Sequence, residues 1–285
     1  MRFMLLVKAT ADFEAGVLPD EKMLLQMARY TEELVKAGAL VGCERLQPSS
    51  TAKRVHYAQG KFTVTDGPFA ETKELVAGFS MIEAKSLDEA IEWAKRIPFQ
   101  EGEVEVRPLF ELTDFPVDPA EQPAGWRDKE EQFRAAAPAR KPGSVRYIGL
   151  VKADRNTEAA VMPDEKFLSE MGAFMEEGIK AGVYLSGEGL QPSSKGARVR
   201  FSGAQRLVTD GPFTETKELI GGYAILQFTS PAEALQWTKR FVQVDAPGRL
   251  NGECECDVRP LFEFENFGSS EAIERFRNLE IGTKK

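Results

Sequence analysis

Three acids and a lysine crowd one short stretch of this chain, Asp66-Gly67-Pro68-Phe69-Ala70-Glu71-Thr72-Lys73-Glu74-Leu75. Carboxylates beside an ammonium can do acid/base chemistry or hold a polar ligand, provided that burial and neighbouring charge tune their pKa values. Glu71 and Lys73 lie two positions apart, so in an extended backbone both point to one side and can flank a single ligand, with Glu74 facing away. Asp66 has two readings. Its carboxylate can act on a reacting group, or it can accept hydrogen bonds from the turn at Gly67-Pro68, where glycine gives steric freedom and proline restricts its own φ and the residue before it. Charge-paired loop packing of Glu71 and Lys73 likewise stands beside ligand binding.

The segment returns 144 positions later, changed only at Thr214, so Asp210, Glu215 and Lys217 repeat Asp66, Glu71 and Lys73. Asp66, Asp210, Glu71 and Glu215 are therefore the candidate catalytic residues. The candidate ligand-binding residues are Lys73 and Lys217, together with Lys8 and Lys152 at the ends of the first strands and Glu44 and Glu188 in the second strands. Around Glu44 the repeat is imperfect: Cys43 and Arg45 have become Gly187 and Gly189.

An offset of 144 also relates Pro19-Asp20-Glu21-Lys22 to Pro163-Asp164-Glu165-Lys166 and Leu46-Gln47-Pro48-Ser49-Ser50 to Leu190-Gln191-Pro192-Ser193-Ser194. A register shared over so much chain means duplication. It slips only near the end, where Val106-Arg107-Pro108-Leu109-Phe110 answers to Val258-Arg259-Pro260-Leu261-Phe262 at an offset of 152, so eight extra residues sit around Asp245 to Gly252 and read as a loop. The expected organisation is a first domain over 1–112, a linker rich in Pro, Ala and charge over 113–143, a second domain over 144–267 and a helical tail over 268–285. Trp126 to Ala137 suggests a short helix inside the linker.

Within each copy, Phe3, Leu5 and Val7 alternate as in a strand, and Met23, Met27, Tyr30 and Leu34 recur at helical spacing. That stripe, with Phe167, Met171 and Phe174 in the second copy, is read as core. Gly38 and Gly182 end the helices, strands follow near 39–46, 55–58, 62–65 and 76–84, and Ser86 and Ser230 open second helices with capping-box spacing. The resulting order, β-α-β-β-β-β-α-β, is an α+β domain whose helices cover one sheet face. Two copies on one chain can cover the other face by packing sheet on sheet, leaving a ligand-sized space between the sheets.

Composition narrows the function classes. A net charge of -8 without a basic run disfavours nucleic-acid binding. No apolar run approaches the roughly 20 residues of a membrane span, and Met1-Arg2 leads straight into a strand without a signal-peptide pattern. A cytoplasmic protein is expected. Cys43, Cys254 and Cys256 give no disulfide framework, and two thiols do not complete a structural zinc site. His56 is the single histidine, replaced by Arg200 in the second copy, so no histidine-based metal centre or catalytic triad is expected. Dinucleotide and phosphate-loop fingerprints are absent. No cofactor and no metal are expected.

Asp66-Gly67-Pro68-Phe69 and Asp210-Gly211-Pro212-Phe213 make the chain resemble the YCII-related proteins of the DGPF-domain group, over Arg2 to Leu112 and Val145 to Phe264. The resemblance implies two ferredoxin-like domains packed as an intramolecular pseudo-dimeric α+β barrel. It also implies a histidine and an aspartate meeting in a pocket. Asp66 and Asp210 match the aspartate, whereas His56 lacks a second copy and has no assured place in that pattern. The functional expectation is a small-molecule enzyme using an acidic pocket, or else a noncatalytic binding or stress-regulatory module. Its partner would be a small polar molecule, with intramolecular domain pairing and room for a higher oligomer.

Overall fold

A computed structural model describes residues 1–69, 75–111, 114, 138–213 and 219–279. The first half runs β1 (Arg2–Lys8), α1 (Ala11–Glu14), α2 (Glu21–Lys36), β2 (Leu40–Arg45), β3 (Lys53–Ala58), β4 (Lys61–Asp66), β5 (Val76–Glu83), α3 (Leu87–Lys95) and β6 (Glu101–Pro108). The second runs β7 (Val145–Lys152), α4 (Arg155–Glu158), α5 (Glu165–Lys180), β8 (Tyr184–Gly189), β9 (Ala197–Ser202), β10 (Gln205–Asp210), β11 (Ile220–Phe228), α6 (Pro231–Asp245) and β12 (Cys254–Pro260), and α7 (Glu271–Asn278) closes the described chain.

Local chemistry sets the boundaries. Asp20 and Asp164 cap α2 and α5 by accepting the backbone N–H of Met23 and Phe167 at 2.7 and 2.8 Å. Gly38 and Gly182 follow those helices at φ +67°, a left-handed conformation that glycine adopts without a Cβ penalty. Ser86 and Ser230 cap α3 and α6 as expected. The returning carboxylates of Glu89 and Glu233 accept from Lys85 and Thr229, one residue earlier than a capping box requires.

The strands form two six-stranded antiparallel sheets, ordered β10-β9-β6-β1-β5-β2 and β4-β3-β12-β7-β11-β8. Each sheet holds four strands of one half and the hairpin of the other: β3 pairs with β12, and β9 with β6. The two hairpins that end in Asp66 and Asp210 are thus exchanged. Bridges between Leu46 and Leu261 and between Leu109 and Leu190 join the sheets at their corners. The product is an α+β barrel closed within one polypeptide.

Side-chain alternation along the strands splits the core. Phe3 and Leu5 face the helices with Tyr30, Leu34, Ile91 and Val104. Met4 and Leu6 face inward, where they meet Leu46, Phe79, Leu109, Ile148, Leu150, Leu190 and Tyr223 from both sheets. The space expected between the sheets is therefore filled by apolar side chains and, toward its ends, by buried ions. The linker helix expected at Trp126 to Ala137 lies outside the described residues. The tail forms α7, which packs against α2, with Ala272 and Ile273 buried.

Candidate functional site

Three features sort the candidate residues: two buried ion clusters, a pair of ion bridges across the halves, and a cavity.

Each cluster is assembled from both halves because of the hairpin exchange. In one, Lys8 of β1 and Glu105 and Arg107 of β6 meet Arg198 of β9. Lys8 Nζ lies 3.0 Å from Glu105 Oε2, Arg107 Nη1 lies 2.9 Å from Glu105 Oε1, and Arg198 Nη2 lies 3.2 Å from Glu105 Oε2. Arg107, with no solvent exposure, also donates to the Gln191 carbonyl at 2.9 Å and to Glu158. The other cluster sets Lys152, Asp257, Arg54 and Arg259 at the equivalent positions: Lys152 Nζ is 3.1 Å from Asp257 Oδ2, Arg54 grips both oxygens of Asp257 at 2.6 and 2.9 Å, and Arg259 lies 3.5 Å from Glu14. Arg259 donates to the carbonyls of Val76 and Gln47 at 2.8 and 2.5 Å, and among the described residues its Nε has no partner.

Burial alone would drive both acids upward, but the surrounding cations outweigh it. Lys8, Arg107 and Arg198 hold Glu105 down at about 2, and Lys152 and Arg54 hold Asp257 below the usual carboxylate range.

The recurrent motif docks onto these clusters. A Cβ on Gly67 would stand 1.8 Å from the Ser49 carbonyl oxygen, and one on Gly211 would stand 1.9 Å from that of Ser193. Ser49 Oγ accepts the Phe69 N–H at 3.2 Å, and its hydroxyl donates to Glu14. The Phe69 and Phe213 rings lie beneath the guanidinium groups of Arg54 and Arg198 at 4.4 and 4.2 Å, within cation–π range. Glycine for close approach and phenylalanine for stacking thus explain two of the four motif positions by packing.

Asp66 itself stands at the open end of its hairpin. Its side chain is 74% exposed and lies 2.5 Å from Lys53, its cross-strand neighbour. Asp210 is likewise exposed, opposite Ala197. The structure does not bring either aspartate into the buried clusters. Glu71, Lys73, Glu215 and Lys217 lie outside the described residues. His56 is a rim residue with Nε2 3.9 Å from Glu253. Cys254 and Cys256 are buried on the helix-facing side, where burial pushes both thiols up.

Glu44 and Glu188 bridge the halves, Glu44 to Arg146 and Glu188 to Arg2. Burial dominates at Glu44 and leaves its carboxyl above the usual range, whereas Arg146, shared between Glu44 and Glu263, ends above the usual guanidinium range.

The cavity, about 590 Å³, lies mainly between the helix-facing side of the first sheet and α2. That volume falls within the roughly 300–1,000 Å³ of small-molecule sites. Val7, Cys43, Arg45, Gly78 and Ser80 contribute from the sheet, Met23, Met27 and Thr31 from α2, Phe262 and Phe267 from the chain after β12, and Ile273 and Phe276 from α7. Lys8 and Glu44 also line it. The expected core stripe therefore divides: Tyr30 and Leu34 are buried in the core, while Met23 and Met27 form a cavity wall. Burial pushes the Cys43 thiol up to about 12, so this thiol is held neutral.

Among the described residues, the second half places side chains in the corresponding space. Phe167 replaces Met23, and its ring packs so closely on Gly248 of the eight-residue insertion that a Cβ there would come within 2.6 Å. Its α6 spans 15 residues against 9 in α3, and the extra turns bring Val242 and Ala246 into a core with Val151, Cys254 and Cys256. The insertion is anchored, with Arg249 paired to Asp245 at 2.5 Å and the Leu250 N–H donating to Asp154 at 2.7 Å.

Sequence reasoning missed Arg107 and Arg259, whose signal was an arginine recurring inside the apolar run Val-Arg-Pro-Leu-Phe. It also passed over Arg45, whose signal was its loss to Gly189 in the second copy.

Fold and site together define a duplicated, internally closed α+β barrel with a ligand-sized cavity in its first half. The YCII-related domain matches residues 1–113 and again 145–250, and the chain belongs to that family. An uncharacterised protein of Rhizobium meliloti (strain 1021) is 39% identical over 93 residues, which span 32% of this chain and 75% of that protein. Among solved structures, a mutant chlorite dismutase from Candidatus Nitrospira defluvii in complex with cyanide is similar at 9% identity and a TM-score of 0.41, over 98% of this chain and 93% of that one. A second mutant of the same enzyme gives 8% identity and a TM-score of 0.40, over 96% of this chain and 94% of that one. No described helix is long and apolar enough to cross a membrane.

Proposed function

We propose that the protein binds a small molecule in its first-half cavity and that the second half, together with the exchanged hairpins, acts as the rigid scaffold. One observation carries this reading: the two halves share their barrel and ion clusters, yet one keeps about 590 Å³ of lined space where the other is packed with Phe167, Val242 and Ala246. A pocket of this size kept open in the first half, where the described residues of the second half put Phe167 against Gly248, fits occupancy better than poor packing.

N-phenyl-1-naphthylamine, a neutral apolar fluorophore, tests the reading. It is expected to bind the full chain saturably at one site, and Met27→Trp, which fills the cavity from α2, is expected to abolish the fluorescence gain while the protein melts normally. Absence of binding to the wild type, or equal binding to the folded variant, contradicts the proposal.

A second reading is turnover within the same cavity, favoured by Glu44. A half-buried carboxyl raised above its usual range by desolvation and lining a mostly apolar space is suited to exchange a proton with a ligand. On that reading Glu44→Gln abolishes any conversion found in a metabolite screen yet still binds the neutral fluorophore. Conversion that survives Glu44→Gln removes Glu44 from the chemistry.

A further inference from the structure

The guanidinium of Arg45 differs from those around it. Arg2, Arg54, Arg107, Arg146, Arg198 and Arg259 each have a carboxylate within 4 Å. Among the described residues none is recorded for Arg45, whose side chain instead lies over the Phe267 ring at 5.6 Å and lines the cavity. Its pKa moves down, driven by burial with no paired acid to compensate.

Arg45 pairs across the sheet with Gly78, where a Cβ would approach the Glu44 carbonyl to 2.9 Å. In the packed half the equivalent residue is Gly189, and Phe110 occupies the neighbouring space, 3.1 Å from where its Cβ would be. The cation and the cavity thus occur together in the first half, whereas the second has glycine in place of the arginine and, among its described residues, side chains in the corresponding space. A half-buried arginine without a counter-ion is under-compensated, and an anion arriving with the ligand supplies the missing partner.

From this we infer that the cavity takes an amphipathic monocarboxylate, with its head group on Arg45 and its apolar body against Met23, Met27, Phe267 and Phe276. The inference rests on the binding reading above and narrows its ligand class. A planar carboxylate matches the two-pronged donor geometry of guanidinium. A dianion such as a phosphate monoester is a poorer fit. The other lining cations, Lys8 and Arg146, already hold Glu105 and the Glu44–Glu263 pair, and Glu101 and Glu103 add negative charge to the lining.

The test compares decanoate with 1-decanol, which share a chain length and differ in the charged head, as competitors of the neutral fluorophore on the full protein. Decanoate is expected to compete at least tenfold better than decanol. Arg45→Gln should erase that advantage, so that decanoate and decanol compete equally, and Arg45→Lys should keep part of it. Equal competition by acid and alcohol on the wild type, or decanoate binding unchanged in a folded Arg45→Gln variant, overturns the assignment while leaving the cavity reading intact. Failure of the fluorophore to bind the wild type counts against the cavity reading itself. Calorimetry with decanoate alone then decides the anion assignment, and no heat of binding at millimolar decanoate overturns it.

Discussion

The two halves of this barrel agree where they hold each other and differ where only one of them faces a void. At the agreed places a lysine, an acid and two arginines meet in each ion cluster, drawn from both halves by the exchanged hairpins. At the place of difference, a longer α6, an insertion and Phe167 pack one half, whereas Met23, Met27, Arg45 and Cys43 line a cavity in the other. On the proposed reading, duplication separates two demands that a single domain meets together. One copy supplies structure and the other keeps space.

The shared part gives the largest expected effects. Arg107→Met leaves Glu105 and the Gln191 carbonyl short of partners in a site without solvent, and urea unfolding should show a loss of about 3–5 kcal/mol. Arg259→Met should cost less, because Arg259 already carries an unsatisfied Nε. Equal or reversed costs would break the account of the second cluster.

Acid should attack the same clusters. The folded-state pKa of Glu105 is lowered from 4.5 to about 2, so its contribution is present in full above about pH 4.5 and is lost as the pH falls toward 2. Asp257 acts with the same sign. Thermal melts should therefore fall steeply in that window, and Glu105→Gln, less stable at neutral pH, should show a flatter acid limb. An unchanged slope would mean that Glu105 is not held by its cations.

Gly67→Ala and Gly211→Ala come next. Each drives a methyl into a serine carbonyl, and overpacking of this kind costs about 1–3 kcal/mol. The two variants should be equally destabilised if the hairpins dock alike.

The smallest effects sharpen the difference between the halves. Val242→Ala opens a hole in the packed half and should cost about 2 kcal/mol, while Met27→Ala only enlarges an existing cavity and should cost less than about 1 kcal/mol. Comparable losses would argue that the cavity wall is packed as tightly as core.

Much of this architecture was legible in the residues. Ser86 and Ser230 as caps, Gly38 and Gly182 as helix ends and the strand alternation of Phe3, Leu5 and Val7 all follow local rules, and local rules act within a few residues. The hairpin exchange was not legible. Val55, which alternates in β3, meets a matching pattern in either half, and even Asp257 opposite Arg54 in β12 has its equivalent in Glu105 of β6, so no local feature selects the partner strand. The site divided similarly. Lys8 and Lys152 recur and proved to be buried, but their roles depend on Glu105 and Asp257, far away in sequence. Arg45 was visible only as a break in the repeat, and a break acquires meaning only once Phe110 and Phe262 show which half is filled.

The central claim is that ligand-sized space belongs to the first half. Methionines report on both halves, since Met23 and Met27 line the cavity on α2 while Met171 and Met175 lie on the equivalent helix α5. Methyl NMR of ¹³C-methionine-labelled protein during titration with N-phenyl-1-naphthylamine is the most direct measurement. Saturable shifts of the Met23 and Met27 methyls, with those of Met171 and Met175 unmoved, are the expected result; equal shifts in both pairs, or none in either, would contradict it.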